Sequence, residues 1–388
     1  MSKVEEIRIE DFILDGAEVE PITDLRSMSE EEKDNLLMAG IDLEERDRSA
    51  TFLHVNHSRA HCKTCVSGLE VMDIKEALAR YEGLKEYYWK LVNPDKDKYT
   101  RAVYEKLHGG YFIRTEKGAR ITSPVQSCLF IQRERVGQNV HNIIVVEEDS
   151  ELHIITGCSV AHDVRAALHL GISEVYVKRG GKLTFTMIHN WGPQVHVRPR
   201  SACIVEEGGV FINNYILLKP VESAQLYPRI YLNGAGARCT SNSILVSPPG
   251  SYLNVGSAVV LNAPDTRAEI ISRAITTGGT IVAPGYIEGN SVPSKGHLEC
   301  KGLILKDGVI HAIPELKGTV EGVELSHEAA VGKVAQEEIE YLMARGLDEE
   351  EATSTIVRGF LNVDIMGLPP ELKAAIDKTI EEAGEDMF

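Results

Sequence analysis

Residues 181–188 read GKLTFTMI, residues 209–216 GVFINNYI and residues 236–244 GARCTSNSI. Each opens on glycine and runs into a β-rich segment, and the openings Gly181, Gly209 and Gly236 lie 28 and 27 residues apart. Segments of the same texture flank them: Asp149-Ser-Glu-Leu-His-Ile-Ile, Ser251-Tyr-Leu-Asn-Val-Gly-Ser-Ala-Val and Thr266-Arg-Ala-Glu-Ile-Ile-Ser-Arg-Ala-Ile. Alternating faces indicate strands. A repeat of this length with no helix pattern inside it indicates stacked units, each burying a stripe of Val, Ile and Leu against the next. A parallel β-helix meets that description. A β-sandwich, with strands at shorter spacing, is the structural alternative.

Outward from the repeats, the β texture is expected to fill 109–325, with a mostly helical region at 1–108 and a helical domain at 326–388. Ser29-Glu-Glu-Glu-Lys reads as a capped helix start in an acidic, solvated arm. Asp73 caps a helix through Ile74-Lys75-Glu76-Ala77-Leu78, and helix is expected to continue to about 108 with Tyr87, Tyr88, Trp89 and Leu91 on an apolar side. After Val334 a helix carries Ile339, Leu342 and Met343, and Gly346 stops it. Asp348 caps a second with Ala352, Ile356, Phe360 and Leu361 on one face. Pro369-Pro370 opens a third.

The chain has 388 residues, 43% hydrophobic and 26% charged, which suits a soluble protein with a large core. A net charge of −17 disfavours nucleic acid and anionic membranes as partners. No run of roughly 18 apolar residues suggests a membrane span. The N-terminal MSKVEEIRIEDFILDG lacks a signal-peptide apolar region, so a cytoplasmic location is expected. Seven cysteines in a reducing compartment read as free or metal-binding thiols.

The chemistry concentrates in Gly296–Val334, GHLECKGLILKDGVIHAIPELKGTVEGVELSHEAAVGKV. Cys300 lies between two strand-like runs, and His327-Glu328 falls where a strand pattern hands over to a helix pattern. Thiol, imidazole and carboxylate suit iron or zinc. The alternative is a buried thiol with Ser326 as a helix N-cap and Glu328 in the first turn. Earlier, His54, His57, His61, Cys62 and Cys65 crowd a C-x-x-C, but no second C-x-x-C follows at zinc-site spacing. Cys158 and Cys239 read first as core thiols. There is no G-x-x-x-x-G-K-[ST], so ATP hydrolysis by this chain is not expected, and Gly234-Ala-Gly236 lacks the third glycine of a dinucleotide site.

E-C-x-G-L-I-L at Cys300, H-x-x-P at His311 and Pro314, E-x-x-H-E-A from Glu324 to Ala329, and the helix from Gln336 to Leu347 together resemble the C-terminal part of the SufB/SufD family, components of the SUF iron–sulfur cluster assembly machinery. Gly68-Leu-Glu-Val-Met-Asp-Ile-Lys resembles the family's N-terminal region. Thr186-Met-Ile-His-Asn-Trp191, followed by Cys203, resembles its Q-N-W and K-R-x-x-C-E-G segments, although His189 replaces Gln and Ile204-Val205 separates Cys203 from Glu206-Glu207-Gly208.

The resemblance implies a right-handed parallel β-helix core and a non-enzymatic scaffold that builds a transient iron–sulfur cluster and passes it to apo-proteins. It implies a SufC-like ABC ATPase docked on the C-terminal helices, a sulfur donor, and a homodimer joined at the β-helix ends. Cys300, His327 and Glu328 would form the cluster site, Glu324 would be a secondary candidate, and Cys203 would accept sulfur. Arg198 and Arg200 beside Cys203 are expected to favour its thiolate. A zinc-binding or structural adaptor of an ATPase is the main rival. A β-helix polysaccharide lyase or hydrolase would need a carboxylate pair, and none stands out.

Overall fold

The computed structural model describes residues 7–16 and 19–361. Up to the strand Glu324–Gly332 the chain winds as a β-solenoid of parallel strands, with about eight turns in all. The register fixes the length of a coil. Glu151 pairs with Lys182, Lys182 with Val210, Val210 with Arg238, Arg238 with Arg267, Arg267 with Lys295, and Lys295 with Glu324. Successive partners are therefore 28 to 31 residues apart, which identifies the sequence repeat as one coil. Each coil contributes one strand to a sheet ending Thr266–Thr276, Ser294–Ile304, Glu324–Gly332. Another part of each coil joins a second sheet, which closes on Thr280–Gly289 and Val309–Gly318.

The corner of each coil explains the recurring Gly and Asp. Gly118, Asp149, Gly180, Gly208, Gly236 and Asp265 all take φ between 54 and 73°, the left-handed region that Gly enters freely and Asp tolerates. In that conformation each donates its N–H to the next corner: Asp149 to Arg179, Gly180 to Glu207, Gly208 to Ala235, Gly236 to Pro264. A second corner carries a side-chain ladder. Asn262 donates to Asn233 at 2.8 Å, Asn290 to Asn262 at 2.9 Å, and Thr319 to Asn290 at 2.8 Å.

Alternate residues point into the lumen. Leu183, Phe211, Cys239, Ala268 and Leu298 come from one sheet and Val205, Leu232, Leu261 and Ile287 from the other, and all are buried in one continuous core. Stacking one inward-facing stripe on the next lets every coil bury its apolar side chains without its own closed core.

The N-terminal region is only partly helical. Ser29 caps Glu30–Met38 with a full capping box, and Asp73 caps Ile74–Arg80, as the sequence predicts. Residues 81–97 hold a 3-10 turn, Glu82–Glu86, and no α-helix; the next helix is Lys98–Glu105. Ala50–Val55, Ser58–Thr64 and Leu69–Asp73 are strands. Ala50–Val55 pairs in parallel with Val125–Ile131, so this region starts the solenoid. The Glu30–Met38 helix lies across the wall there, and Gly157 permits it: a Cβ at Gly157 would sit 2.2 Å from the Ala39 carbonyl oxygen.

At the other end, the final strand continues through His327-Glu328 to Gly332, past the 325/326 boundary read from the sequence. Helices follow at Gln336–Met343 and Glu349–Leu361, the second capped by Asp348, whose carboxylate accepts from Glu351 N at 2.8 Å. Val357 packs on Ile244, Val246 and Ile275, the outer wall of the first sheet. The helix expected from Pro369-Pro370 lies outside the described residues. No helix among the described residues is long and apolar enough to cross a membrane.

Candidate functional site

The site is built on the last two coils. Cys300 lies in Ser294–Ile304, where Gly296, Leu298, Cys300 and Gly302 are buried and the residues between them are not. Its thiol therefore faces the lumen, 4% exposed. Burial, with a smaller contribution from Glu299, pushes it up to about 11, so it awaits a metal or a nearby positive charge to ionise. Beside it in register sits Ser272, buried with its hydroxyl unpartnered, and then Ser243 and Tyr215. A polar row thus leads inward from Cys300.

Register decides which neighbours Cys300 can use. The final strand pairs without a bulge, Gly296 with Leu325, Leu298 with His327, Glu299 with Glu328, Cys300 with Ala329. A Cβ at Gly296 would meet Leu325, and one at Gly302 would meet Val331, so the odd positions of this strand face the lumen. His327 thus shares the inner face with Cys300. It is exposed because no further coil covers it among the described residues. Glu328 and Glu324 lie on the opposite, outer face, where Glu324 pairs with Lys295 at 2.7 Å. Ser326 caps no helix; it sits in mid-strand and its hydroxyl lies 2.9 Å from His297 Nδ1.

Three residues predicted as one cluster are therefore split, two inside and one outside. The outer face holds groups that sequence reading passed over. Glu299, the residue before Cys300, contacts Arg273 closely, and Lys301 Nζ is 3.3 Å from Glu299 and 3.4 Å from Glu328. Burial alone would raise the Glu299 carboxyl, but Arg273 and then Lys301 outweigh it and hold it below the usual carboxylate range. The period-two pattern through HLECK was the available signal.

Cys203 sits deeper, 2% exposed, in Arg200–Val205. It lines an apolar cavity of about 40 Å³ together with Phe185, Met187, Phe211 and Tyr215. The arginines do not activate it. Alternation turns them away from the lumen, where Arg198 donates to the Ser223 carbonyl and hydroxyl and Arg200 pairs with Asp97 at 2.6 Å. Burial instead holds the Cys203 thiol well above its ordinary value, with Cys239 adding to the effect. Cys158 and Cys239 are buried in the same core.

The early His/Cys cluster does not converge. His54 is fully enclosed with both ring nitrogens unpartnered, Cys62 donates to the Val71 carbonyl, and Cys65 is exposed. His61 Nδ1 lies 2.7 Å from the Ile22 carbonyl and its Nε2 3.3 Å from Glu45.

The sequence itself is similar to known proteins of iron–sulfur cluster assembly. The model of the SufBD core domain of SUF system FeS cluster assembly matches residues 129–360. An iron–sulfur cluster assembly SufBD family protein of Methanothermobacter thermautotrophicus is 48% identical over 391 residues, covering 99% of this chain and 95% of its own. A SufBD family protein of Archaeoglobus fulgidus is 48% identical over 358 residues, covering 92% and 96%. The iron–sulfur cluster assembly protein SufB of Bacillus subtilis is 30% identical over 321 residues, covering 81% and 68%.

Proposed function

Because the chain belongs to the SufBD family and takes part in iron–sulfur cluster assembly, we propose that it is the scaffold itself, acting as a homodimer joined at the final coils of two β-helices. One observation carries the reading. Glu324–Gly332 and Val309–Gly318 end their sheets with one edge unpaired among the described residues, and the coil they form presents His327 on the open inner face above Cys300. Val309, Val320 and Val331 are exposed at this end, at 54, 41 and 41%. Unpaired edges and apolar side chains together favour a second copy.

In that dimer Cys300 and His327 of each protomer face the junction and are the ligands for the iron of the nascent cluster, which sulfide bridges. Glu328 and Glu324 support the site from the outer wall. A nascent cluster on thiolate and imidazole is held by fewer thiolates than an all-cysteine site supplies, which suits a protein that must hand its product on.

Sulfur enters at Cys203 by exchange: a donor persulfide gives its outer sulfur to the Cys203 thiol, leaving the donor thiol and a Cys203 persulfide. The cavity beside Cys203 has room for that added atom, and the row Tyr215, Ser243, Ser272 connects the cavity to Cys300. Burial of Cys203 requires an opened state for the exchange. A SufC-like ATPase docked on the C-terminal helices would supply the opening, and the exposed Tyr341 and Met343 of Gln336–Met343 offer it a surface.

The test is anaerobic reconstitution with ferrous iron and sulfide, read by ultraviolet–visible and Mössbauer spectra. Wild type should form a cluster and Cys300→Ala should not. A cluster that survives in Cys300→Ala moves the site elsewhere. Zinc bound at Cys300 and retained through reconstitution would favour the adaptor reading.

A further inference from the structure

We propose that His297, Glu299 and Glu328 form a divalent-metal site on the outer wall of the last coil, and that its occupant is ferrous iron held as substrate. The choice of iron rests on the assembly reading above; the site itself does not. One ligand atom from each of the three residues lies within 4.8 Å of the other two. That is close enough for a single ion to gather them with small side-chain movements. An imidazole with two carboxylates is a donor set for Fe, Mn or Zn, and it contains no thiol that would favour a cluster.

The backbone builds this arrangement. His297 and Glu299 are two apart on one strand, and Glu328 is the register partner of Glu299 on the next. All three therefore project from one face at adjacent positions. Two carboxylates directly across a strand pair repel each other, and the sequence keeps a cation between them. Lys301 Nζ reaches both, at 3.3 and 3.4 Å, and Arg273 holds Glu299 from beneath. The lysine ammonium marks where positive charge is wanted, and it is on a flexible stem that can swing away. Ser326, in register with His297, places its hydroxyl 2.9 Å from the ring Nδ1 and orients the imidazole. Iron here would sit on the opposite face of the strand from Cys300, one residue along the chain.

The test is anaerobic equilibrium dialysis of the full-length protein against ferrous iron, with circular dichroism confirming the fold of each variant. Wild type should bind iron saturably, and Cys300→Ala, which removes the thiol of the lumen, should still bind one ion at the outer wall. His297→Ala and Glu328→Gln, both at accessible positions, should weaken binding by roughly tenfold or more. Lys301→Met should tighten it by removing the competing cation. Wild-type binding in both His297→Ala and Glu328→Gln would overturn the site. So would loss of the ion in Cys300→Ala alone, which would place the iron in the lumen and leave the outer groups as an ion-pair network. If the ion depends on His297 and Glu328 but no cluster forms on reconstitution, the metal site stands and the assembly reading falls.

Discussion

Glu174 shows how much a single buried side chain carries in this molecule. Both it and His141 are fully buried, 2.8 Å apart, and the Glu174 carboxyl also accepts the backbone N–H groups of Trp89, Leu91 and Val92. It thereby satisfies the irregular segment between two N-terminal helices, which has few backbone partners of its own. Glu174→Ala should cost about 3–5 kcal/mol, because it leaves those donors and the imidazole unpaired in the interior. Glu174→Gln, which keeps one acceptor, should cost about 1–3 kcal/mol. Urea midpoints at unchanged slope would measure both. Buried histidines set the acid limit. Burial holds His54 and His169 at about 3, far below the ordinary value of 6.5. The unfolded chain therefore takes up protons first as pH falls below about 6.5. Their contribution is complete above that value and declines through the window down to about 3. Between pH 7 and 5 each ring should cost roughly 2 kcal/mol. His54→Leu should flatten that slope in denaturation measured across the window; an unchanged slope would mean that His54 titrates normally in the folded state.

Strands and corners share the work at the next scale. Asn262 both donates to Asn233 and accepts from Asn290, so it is the middle rung of the corner ladder. Asn262→Ala should cost about 1 kcal/mol, the net worth of one exchanged hydrogen bond, and calorimetry against wild type would measure it. The core strands were legible in the sequence because coil length and left-handed corners both leave marks, the second as Gly or Asp once per turn. Local capping was legible too, at Ser29, Asp73 and Asp348. Ala50–Val55 was not, because all six residues are buried and a strand covered on both faces shows no alternation. The stretch ELSHEAAVG has helix-forming composition, yet pairing with Ser294–Ile304 makes it a strand, a case of tertiary contacts overriding propensity. For the same reason the sequence named Cys300, His327 and Glu328 without their faces. Only the pairing of Cys300 with Ala329 shows that His327 lies inside with the thiol and Glu328 outside with Glu299.

Among the described residues the molecule is a stack whose last coil is left uncovered, and its charge governs what that end can do. Each copy carries −17, so two copies approaching end to end repel over distances beyond the contact itself. The apolar residues at the open coil and its unpaired strand edges act only at contact. Salt separates the two effects, because it screens charges further apart than about 10 Å at 0.1 M and leaves short-range burial in place. The proposed dimer should therefore tighten as ionic strength rises from low to moderate values, a trend that sedimentation equilibrium would read as a falling Kd. Val331→Lys should weaken association at every salt concentration. It puts a charge on the inner side of the final strand, where a joining coil would have to bury it. The urea midpoint of the monomer should hardly change, since Val331 is already 41% exposed. A dimer that loosens with salt would instead point to ion pairs such as Lys295–Glu324, 2.7 Å apart on the outer wall, reaching across to the partner. Association would then be led by the outer face, and the inner face carrying Cys300 and His327 would not be the joint.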